Sequence, residues 1–331
     1  MKILSKLAKT IAIVGIVSAA ATASAQTTKE IAIALSSSSL AASGSRVANQ
    51  LGLFEKHGLK PKFAIMNNSS DAIAALLSKS VDFAVAGTPE MITAHAHGQT
   101  QVVAIATSFF GFPSSLVLSK SVVDKLGVSP TAPVADRLKA LDGLLIATPS
   151  PVTIGSVTVK NAAHANGATL RWTNMSQPAM QAAMEAGAVQ GYLCSAPYWA
   201  YPVVKGNGVL WLSGPKGDVP PEFSPALASE METLRSYAEA NRDTVKRVVD
   251  VFVDFSMEVR DHPAQVEAAV GKLFPDVDKQ TLHLLFDSES RGWLNPLPTA
   301  KQVAREIELV KASGTPLPEG VHLDPAAMLF P

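Results

Sequence analysis

Short apolar runs alternate with amphipathic stretches along the first two thirds of the chain. An apolar run bounded by turn residues is typical of a buried strand, whereas apolar residues three and four positions apart predict one face of a helix. Val47, Leu51 and Phe54 have the helical spacing within Ala41–His57. The predicted strands are Glu30–Leu35, Lys62–Met66, Val81–Ala86, Gln101–Thr107, Leu144–Ala147, Thr169–Thr173, Val189–Leu193 and Val209–Leu212.

Helical patterns separate these strands and dominate the chain after Pro225. Thr88 and Pro89 are a helix cap followed by proline at the first helical position, which marks a helix start. The Pro-rich end from Pro316 is predicted to run over the surface. The predicted helices are Ala41–His57, Ala72–Ser78, one beginning at Thr88, Asp136–Leu141, Ile154–Ala165, Gln177–Ala186, Tyr198–Val204, Glu232–Ala240, Arg242–Arg260, Pro263–Leu273, Lys279–Phe286 and Lys301–Ser313.

This alternation predicts an α/β protein with mainly parallel sheets flanked by helices. The rhythm occurs twice, which predicts two lobes with a hinge between them. Gly, Pro and Ser clusters near Phe109–Leu118 and Leu210–Ala228 are the expected crossings. The first lobe is then expected to hold residues 26–112 and 222–331, including the helical C-terminal part, and the second lobe residues 113–221.

Residues 1–25 have the order of a secretory signal peptide: lysines first, then the apolar run Ile11–Val17, then small residues ending Ala23-Ser24-Ala25. The apolar run is too short for a stable membrane span, which needs roughly 20 residues. We therefore expect export to the periplasm with cleavage after Ala25. Removal of this segment takes three lysines and no acidic residue, so the mature chain is mildly acidic.

Charge and composition exclude several classes of protein. The 331 residues carry 28 basic and 28 acidic side chains, so there is no basic field for nucleic acid. The lone Cys194 rules out an intramolecular disulfide and a multi-cysteine metal site. It is either a buried small hydrophobe or a thiol lining a pocket. His95 and His97, two apart in a helix, are expected at its surface on nearly opposite faces, so we expect no shared metal. No nucleotide-binding loop or nucleophile elbow occurs, and no cofactor is predicted.

Small polar residues and glycines follow the predicted strands in both halves. Any one of them is commonly a cap or a turn residue, but together they predict a polar pocket at one edge of each sheet. Helix N-termini there offer backbone N–H groups that favour an anion. The predicted binding residues of this kind are Ser38, Ser39, Asn68, Gly87, Thr88, Thr153, Gly155, Ser156, Asn174 and Ser195.

The sequence resembles the periplasmic substrate-binding proteins of ABC importers over about Ile31–Ala228. Within this family, the sequence is most similar to the branch of binding proteins for sulfonates, taurine, nitrate and thiamine-pyrimidine precursors. The segments that carry the resemblance are Leu51–Leu59, Val81–Pro89, Ala94–Gly98, Leu141–Ile146, Pro149–Ser156 and Met184–Gly191. The resemblance implies the two-lobed type II binding fold, with ligand held between the lobes. The chain lacks the cysteine cluster of the related eukaryotic pyrimidine synthase, which argues against that enzyme.

Arg46 stands where the family commonly has an aromatic or aliphatic residue that contacts ligand. A guanidinium there would match a carboxylate or a sulfonate. The alternative is that Arg46 faces solvent or pairs with Glu55 or Asp71. Phe109, after the fourth predicted strand, is expected to cover the apolar end of an aromatic acid.

The resemblance implies a monomeric receptor that delivers a small, anionic organic molecule to the membrane subunits of an ABC permease. Two other hypotheses stay open at this point. One is a secreted enzyme on the same fold, which would need a nucleophile and a base that the sequence does not link. The other is a ligand-binding module of a sensor or another transporter. We expect no nucleic-acid partner and no catalytic residue.

Overall fold

The computed structural model describes residues 28–149, 154–225, 227–312 and 315–331. They form two five-stranded sheets, each flanked by helices. The strands are β1 Lys29–Leu35, β2 Leu59–Ile65, β3 Phe83–Gly87, β4 Val102–Phe110, β5 Ser114–Ser119, β6 Leu145–Thr148, β7 Arg171–Asn174, β8 Gly191–Ser195, β9 Gly208–Ser213 and β10 Leu227–Leu234.

The two sheets have the same design. The first has the order β2-β1-β3-β10-β4 and the second β7-β6-β8-β5-β9. One strand in each runs against the others: β10 is antiparallel to β3 and β4, and β5 is antiparallel to β8 and β9. The remaining pairs, β1 with β2 and β3 and β6 with β7 and β8, are parallel. The predicted α/β class with mainly parallel sheets in two lobes is confirmed. The boundaries at residues 112 and 222 stay a prediction.

The helices cover both faces of each sheet. Short 3-10 turns occur at Ala41–Ser43, Ser290–Trp293 and Ala326–Met328. The α-helices are α1 Gly44–Gln50, α2 Leu53–Lys56, α3 Ser69–Leu77, α4 Thr88–Ala96, α5 Lys120–Leu126, α6 Val134–Lys139, α7 Ile154–Ala165, α8 Gln177–Glu185, α9 Ala200–Val204, α10 Arg235–Ala240, α11 Arg242–Asp261, α12 Pro263–Leu273, α13 Lys279–Glu289 and α14 Ala300–Ala312. No helix of the described ranges is both long and apolar enough to cross a membrane.

The buried residues follow from the alternation of side chains along each strand. On the first sheet, Ile33 and Val85 face α1, α2, α11 and α12, while Ala84 and Ala86 face α3, α4 and α14. On the second sheet, one face packs on α5, α6 and α7. The other face packs on α8 and α9, and its buried cluster continues into α13 and the core of the first lobe. The C-terminal helices therefore contact both lobes.

The predicted elements were wrong in four places. Ala41–His57 is not one helix, because Gly52 adopts a left-handed φ of 77° that breaks it. Strand β5 was not predicted, although the chain does pass from the first sheet to the second within the predicted crossing Phe109–Leu118, and the predicted helix Glu232–Ala240 begins as the end of β10. The Pro-rich end is not wholly on the surface, since Met328 is buried. The backbone N–H of Phe330 also donates to the Ala104 carbonyl on β4.

Candidate functional site

The loop after β1 is held by its own serines. The Ser37 and Ser39 hydroxyls lie 2.9 Å apart, and the Ser43 hydroxyl donates to the Ser39 carbonyl at 2.7 Å. Ser38 is exposed at the turn of this loop. The loop is thus a preformed polar surface at the carboxyl end of β1.

Arg46 lies in the first turn of α1, directly after this loop, and is partly exposed. It forms no hydrogen bond or ion pair with any residue in the described part of the chain. The pairing with Glu55 or Asp71 is not observed, and Asp71 instead accepts hydrogen bonds from Asn67 and Asn68. The guanidinium is therefore a cation without a protein partner among these residues.

The end of β3 is tied to the start of α3. The Asn68 side chain accepts from the Asp71 amide at 2.8 Å and caps α3. The Gly87 amide donates to the Ser69 hydroxyl at 3.0 Å. Asn68 is exposed, so its amide group is open to solvent on one side.

The N-terminus of α4 already has an acidic group of its own. The Glu90 carboxylate lies over the Gly87 Cα, where any Cβ would overlap its Oε2. The Thr88 side chain is buried, and its hydroxyl donates to Glu230 at 3.3 Å. Burial raises the pKa of Glu90, while a hydrogen bond from its own backbone N–H acts in the opposite direction. The Gly87 amide and the Thr88 hydroxyl are thus already engaged within the protein, which the sequence reasoning did not anticipate.

Phe109 is a core residue in the structure. Its ring is fully buried and meets Trp293 edge to face, with centroids 6.5 Å apart. Gly292 packs directly on the ring, so closely that a Cβ there would overlap it. The ring presents no exposed surface to a ligand.

The second sheet positions three of the predicted residues that the structure describes at the start of α7 and the end of β8. Ser156 is buried with its hydroxyl 2.7 Å from that of Thr148. Gly155 packs closely, since a Cβ on it would lie 3.3 Å from the Phe112 ring and from the Ser114 hydroxyl. The Ser195 hydroxyl donates to Gln177 at 3.1 Å. Asn174 is exposed at the end of β7, and Thr153 lies outside the described residues.

The predicted binding residues therefore fall into two groups, according to whether their side chains are buried or exposed. Thr88, Phe109 and Ser156 are buried, whereas Ser38, Ser39, Arg46, Asn68, Asn174 and Ser195 have exposed or partly exposed side chains. Sequence reasoning missed a further group, which consists of buried polar atoms that have no hydrogen-bond partner in the described part of the chain. These include the hydroxyls of Ser45, Ser108 and Ser115, the Trp293 indole nitrogen and Glu289 Oε2. Only tertiary packing identifies them, because each stands among ordinary core residues in the sequence.

The described residues show no arrangement of a metal site. No group of three His, Cys, Asp or Glu side chains within them could hold a metal ion. Cys194 is buried, and burial raises the pKa of its thiol well above the usual range, which disfavours the nucleophilic thiolate. His95 was expected at the surface but is buried. Its burial is tolerated because the ring nitrogen Nε2 forms a hydrogen bond of 2.6 Å with the Val102 carbonyl. His97 is exposed, as expected.

A sequence profile of the NMT1-like family matches residues 24–271. That range is well over half of the 331 residues. The chain belongs to the NMT1-like family. A comparison with curated protein sequences finds no significant match.

Three solved structures similar to this NMT1-like chain are proteins that bind sulfonates or nitrate. The aliphatic sulphonate binding protein SsuA from Escherichia coli has a TM-score of 0.64 at 19% identity, covering 86% of this chain and 90% of that one. The alkanesulfonate-binding protein SsuA from Xanthomonas axonopodis pv. citri, bound to MOPS, has a TM-score of 0.65 at 17% identity and covers 91% and 98%. The nitrate-binding protein NrtA from Synechocystis has a TM-score of 0.54 at 13% identity and covers 79% and 69%.

These similarities confirm the predicted family resemblance and the two-lobed binding-protein fold. The identities are low, so the ligands of these relatives do not carry over with the fold. In the NMT1-like chain, the polar residues that follow the carboxyl ends of strands in the two sheets are the candidate binding site.

Proposed function

We propose that this NMT1-like protein is a periplasmic receptor that captures a small organic anion between its lobes and delivers it to an ABC permease. It acts as a monomer and is exported by residues 1–25. The observation that carries the proposal is Arg46: a partly exposed guanidinium without a protein partner among the described residues, beside the serine loop at the end of β1. A carboxylate or sulfonate would accept paired, charge-assisted hydrogen bonds from this guanidinium.

The serine loop and Asn68 supply neutral polar groups on the same edge of the first sheet, and Asn174 supplies one on the second. Ligands of open α/β sheets bind beyond the carboxyl ends of strands. Closure of the two lobes over the ligand is common in proteins of this fold. The anion is therefore expected to bind between the lobes, with Arg46 as its main cation.

The ligand is identified first by native mass spectrometry of the protein as purified, followed by a thermal-shift screen of carboxylates and sulfonates. Arg46→Met keeps the length of the side chain and removes its charge. Its affinity for the identified anion should fall about ten- to a hundredfold, the loss of a charge-assisted hydrogen bond. Lys125→Met removes an exposed cation on α5 and is the matched control, which should bind as the wild type does.

Three results would overturn the proposal. The first is a neutral or cationic ligand, and the second is an Arg46→Met variant with wild-type affinity. The third is turnover of a substrate without stoichiometric binding, which would favour an enzyme. A smaller radius of gyration with ligand, measured by small-angle scattering, supports lobe closure. Neighbouring genes for an ATPase and a permease, rather than for a histidine kinase, support delivery to an importer.

A further inference from the structure

The last turn of α13 makes three consecutive polar contacts to the second lobe. Asp287 pairs with Lys216, and the Ser288 hydroxyl lies 3.2 Å from that of Ser213 at the end of β9. The Glu289 Oε1 accepts from the Trp199 indole N–H at 3.2 Å. We name this set, Asp287–Glu289 with its three partners, the α13 latch. It joins the C-terminal helices to the second sheet.

Two parts of the latch differ in their exposure. The Asp287–Lys216 pair lies at the surface. Ser213, Ser288, Trp199 and Glu289 are buried. An exposed pair contributes little, so the buried contacts determine whether the latch holds.

Glu289 is an acidic side chain in a neutral environment. From the second lobe, the Trp199 N–H and the Cys194 thiol on β8 face it, and neither supplies a positive charge. On its own and adjacent segments, Arg291 and the His283–Glu267 contact to α12 lie on exposed sides. Lys216 is engaged by Asp287, and Glu289 Oε2 has no hydrogen-bond partner within the described residues. Burying a charged carboxylate that has one neutral hydrogen-bond donor costs free energy, so the Glu289 carboxyl keeps its proton.

We propose that Glu289 is a proton-controlled element of the latch: its neutral carboxyl holds Trp199 against α13, and loss of the proton releases the second lobe from the C-terminal helices. The ionised form favours any arrangement in which the carboxylate reaches water. Such an arrangement requires the indole and α13 to separate, since they enclose the group. Release would loosen a contact that crosses between the two lobes and so alter their relative motion.

The sign of the effect follows from burial, which raises the pKa of Glu289 from 4.5 to about 8 and outweighs the Trp199 hydrogen bond. In the open latch the carboxyl is in water and has its ordinary pKa. Between these two values the closed latch holds a proton that the open latch has lost. Opening is therefore favoured as pH rises from about 4.5 to about 8 and is constant above that range.

The test measures hydrogen exchange of tryptophan indole N–H groups by NMR in the full mature chain without ligand. The exchange rate of a free indole at the same pH, divided by the measured rate, gives the protection factor of each tryptophan. Trp199 reports the latch, and Trp211 is the internal control because its buried N–H donates to the Arg137 carbonyl at 3.0 Å in the same lobe. The Trp199 protection factor should fall about tenfold per pH unit between pH 5 and pH 8, and that of Trp211 should not fall in step with it.

Two variants sharpen the test. Glu289→Gln keeps an acceptor for the indole and removes the titration, so the Trp199 protection factor should no longer depend on pH. Glu232→Gln, which removes another buried carboxyl in the first lobe, should leave the wild-type dependence in place.

The proposal is wrong if wild-type Trp199 protection is constant over this range, if Trp211 falls in step with it, or if Glu289→Gln keeps the wild-type slope. If Glu289→Gln does not fold, the comparison of Trp199 with Trp211 in the wild type decides by itself. No ligand enters the experiment, so its outcome is independent of the proposed receptor function.

Discussion

The two lobes have sheets of the same design, yet they treat buried charge in opposite ways. In the second lobe, Arg137 is buried and donates two hydrogen bonds to Asp218, at 3.1 and 3.0 Å. In the first lobe, Glu230 and Glu232 are fully buried on β10, and no cation pairs with either among the described residues. One lobe compensates a buried charge with a partner, and the other removes the charge.

The chemistry of the groups explains the difference. A guanidinium keeps its charge at any ordinary pH, so a buried arginine needs acceptors. Arg137 finds them in Asp218 and in the carbonyls of Trp211 and Ala132. A carboxyl can take up a proton instead, and burial raises the pKa values of Glu230 and Glu232 well above the usual range. The nearby carboxyls raise them further.

The opposite treatments imply opposite responses to pH. Burial alone would raise the pKa of Asp218, but the Arg137 hydrogen bonds and charge outweigh burial and lower it. The stability from that pair is present above the ordinary pKa of 3.8 and is lost as pH falls through the lowered value. The stability from protonated Glu230 and Glu232 is present below the ordinary pKa of 4.5 and is lost as pH rises through the raised values.

The largest expected effect is that of Arg137→Met. The substitution leaves the Asp218 carboxylate and two carbonyls without their donor, and breaking one side of a buried pair costs about 3 kcal/mol or more. Urea unfolding at pH 7 measures the loss. Arg260→Met, which removes an exposed pair with Asp261, should leave the urea midpoint unchanged. Equal effects of the two variants would contradict the contrast between the lobes.

The next effect is a change of slope with pH. Stability of the wild type should fall from pH 5 to pH 8, by up to about 1.4 kcal/mol per pH unit for each carboxyl that stays protonated in the fold. Glu232→Gln should lower this decrease in unfolding free energy by up to about 1.4 kcal/mol per pH unit, because the amide cannot titrate. Urea unfolding at four pH values gives the slopes. Glu308→Gln on the exposed side of α14 is the control and should keep the wild-type slope; a Glu232→Gln slope equal to it would refute the prediction.

A smaller effect is expected at Thr88. Thr88→Val keeps the shape of the side chain and removes the hydrogen bond to Glu230, at a cost of about 1 kcal/mol. Thr93→Val, which removes a hydroxyl that donates to the Pro89 carbonyl of its own helix, should cost less. Thermal unfolding compares the pair at pH 7. A larger loss for Thr93→Val would show that Thr88 does not support the buried acids.

The smallest effect belongs to an exposed pair in the second lobe. Lys120 and Asp124 are four residues apart on α5, and both are more than half exposed. Lys120→Met should cost about 0.5 kcal/mol or less, and added salt should reduce that cost further. Urea unfolding in dilute buffer and with 1 M NaCl added, which shortens the Debye length from about 30 Å to about 3 Å, checks both statements. A cost close to that of Arg137→Met would mean that exposure does not separate the two pairs.

Local pattern was sufficient for the regular elements. Helices α7 and α12 have the predicted bounds, because their apolar spacing and start signals lie within the segment itself. The antiparallel strands β5 and β10 were not predicted. β10 carries Glu230 and Glu232 toward the interior, so its pattern lacks the apolar run that identifies a buried strand. Its pairing partners β3 and β4 lie more than a hundred residues away in sequence.

The candidate site shows the same limit. Small polar residues after the strands could be predicted, since the topology brings strand ends together. Which of them stay free was decided by neighbours from distant segments: Thr88 is engaged by Glu230, and Phe109 by Trp293, while Arg46 has no partner in the described part of the chain.

The sequence by itself determined the α/β class, the number of repeating units and the family, because periodicity and short motifs are properties of adjacent residues. The tertiary structure decided which charges are paired, which are neutral and which are free. Trp199 meets Glu289 across 90 residues, and Arg137 meets Asp218 across 81. The energy of a buried charge depends on the atoms within a few ångströms of it, and only the folded chain brings those atoms together.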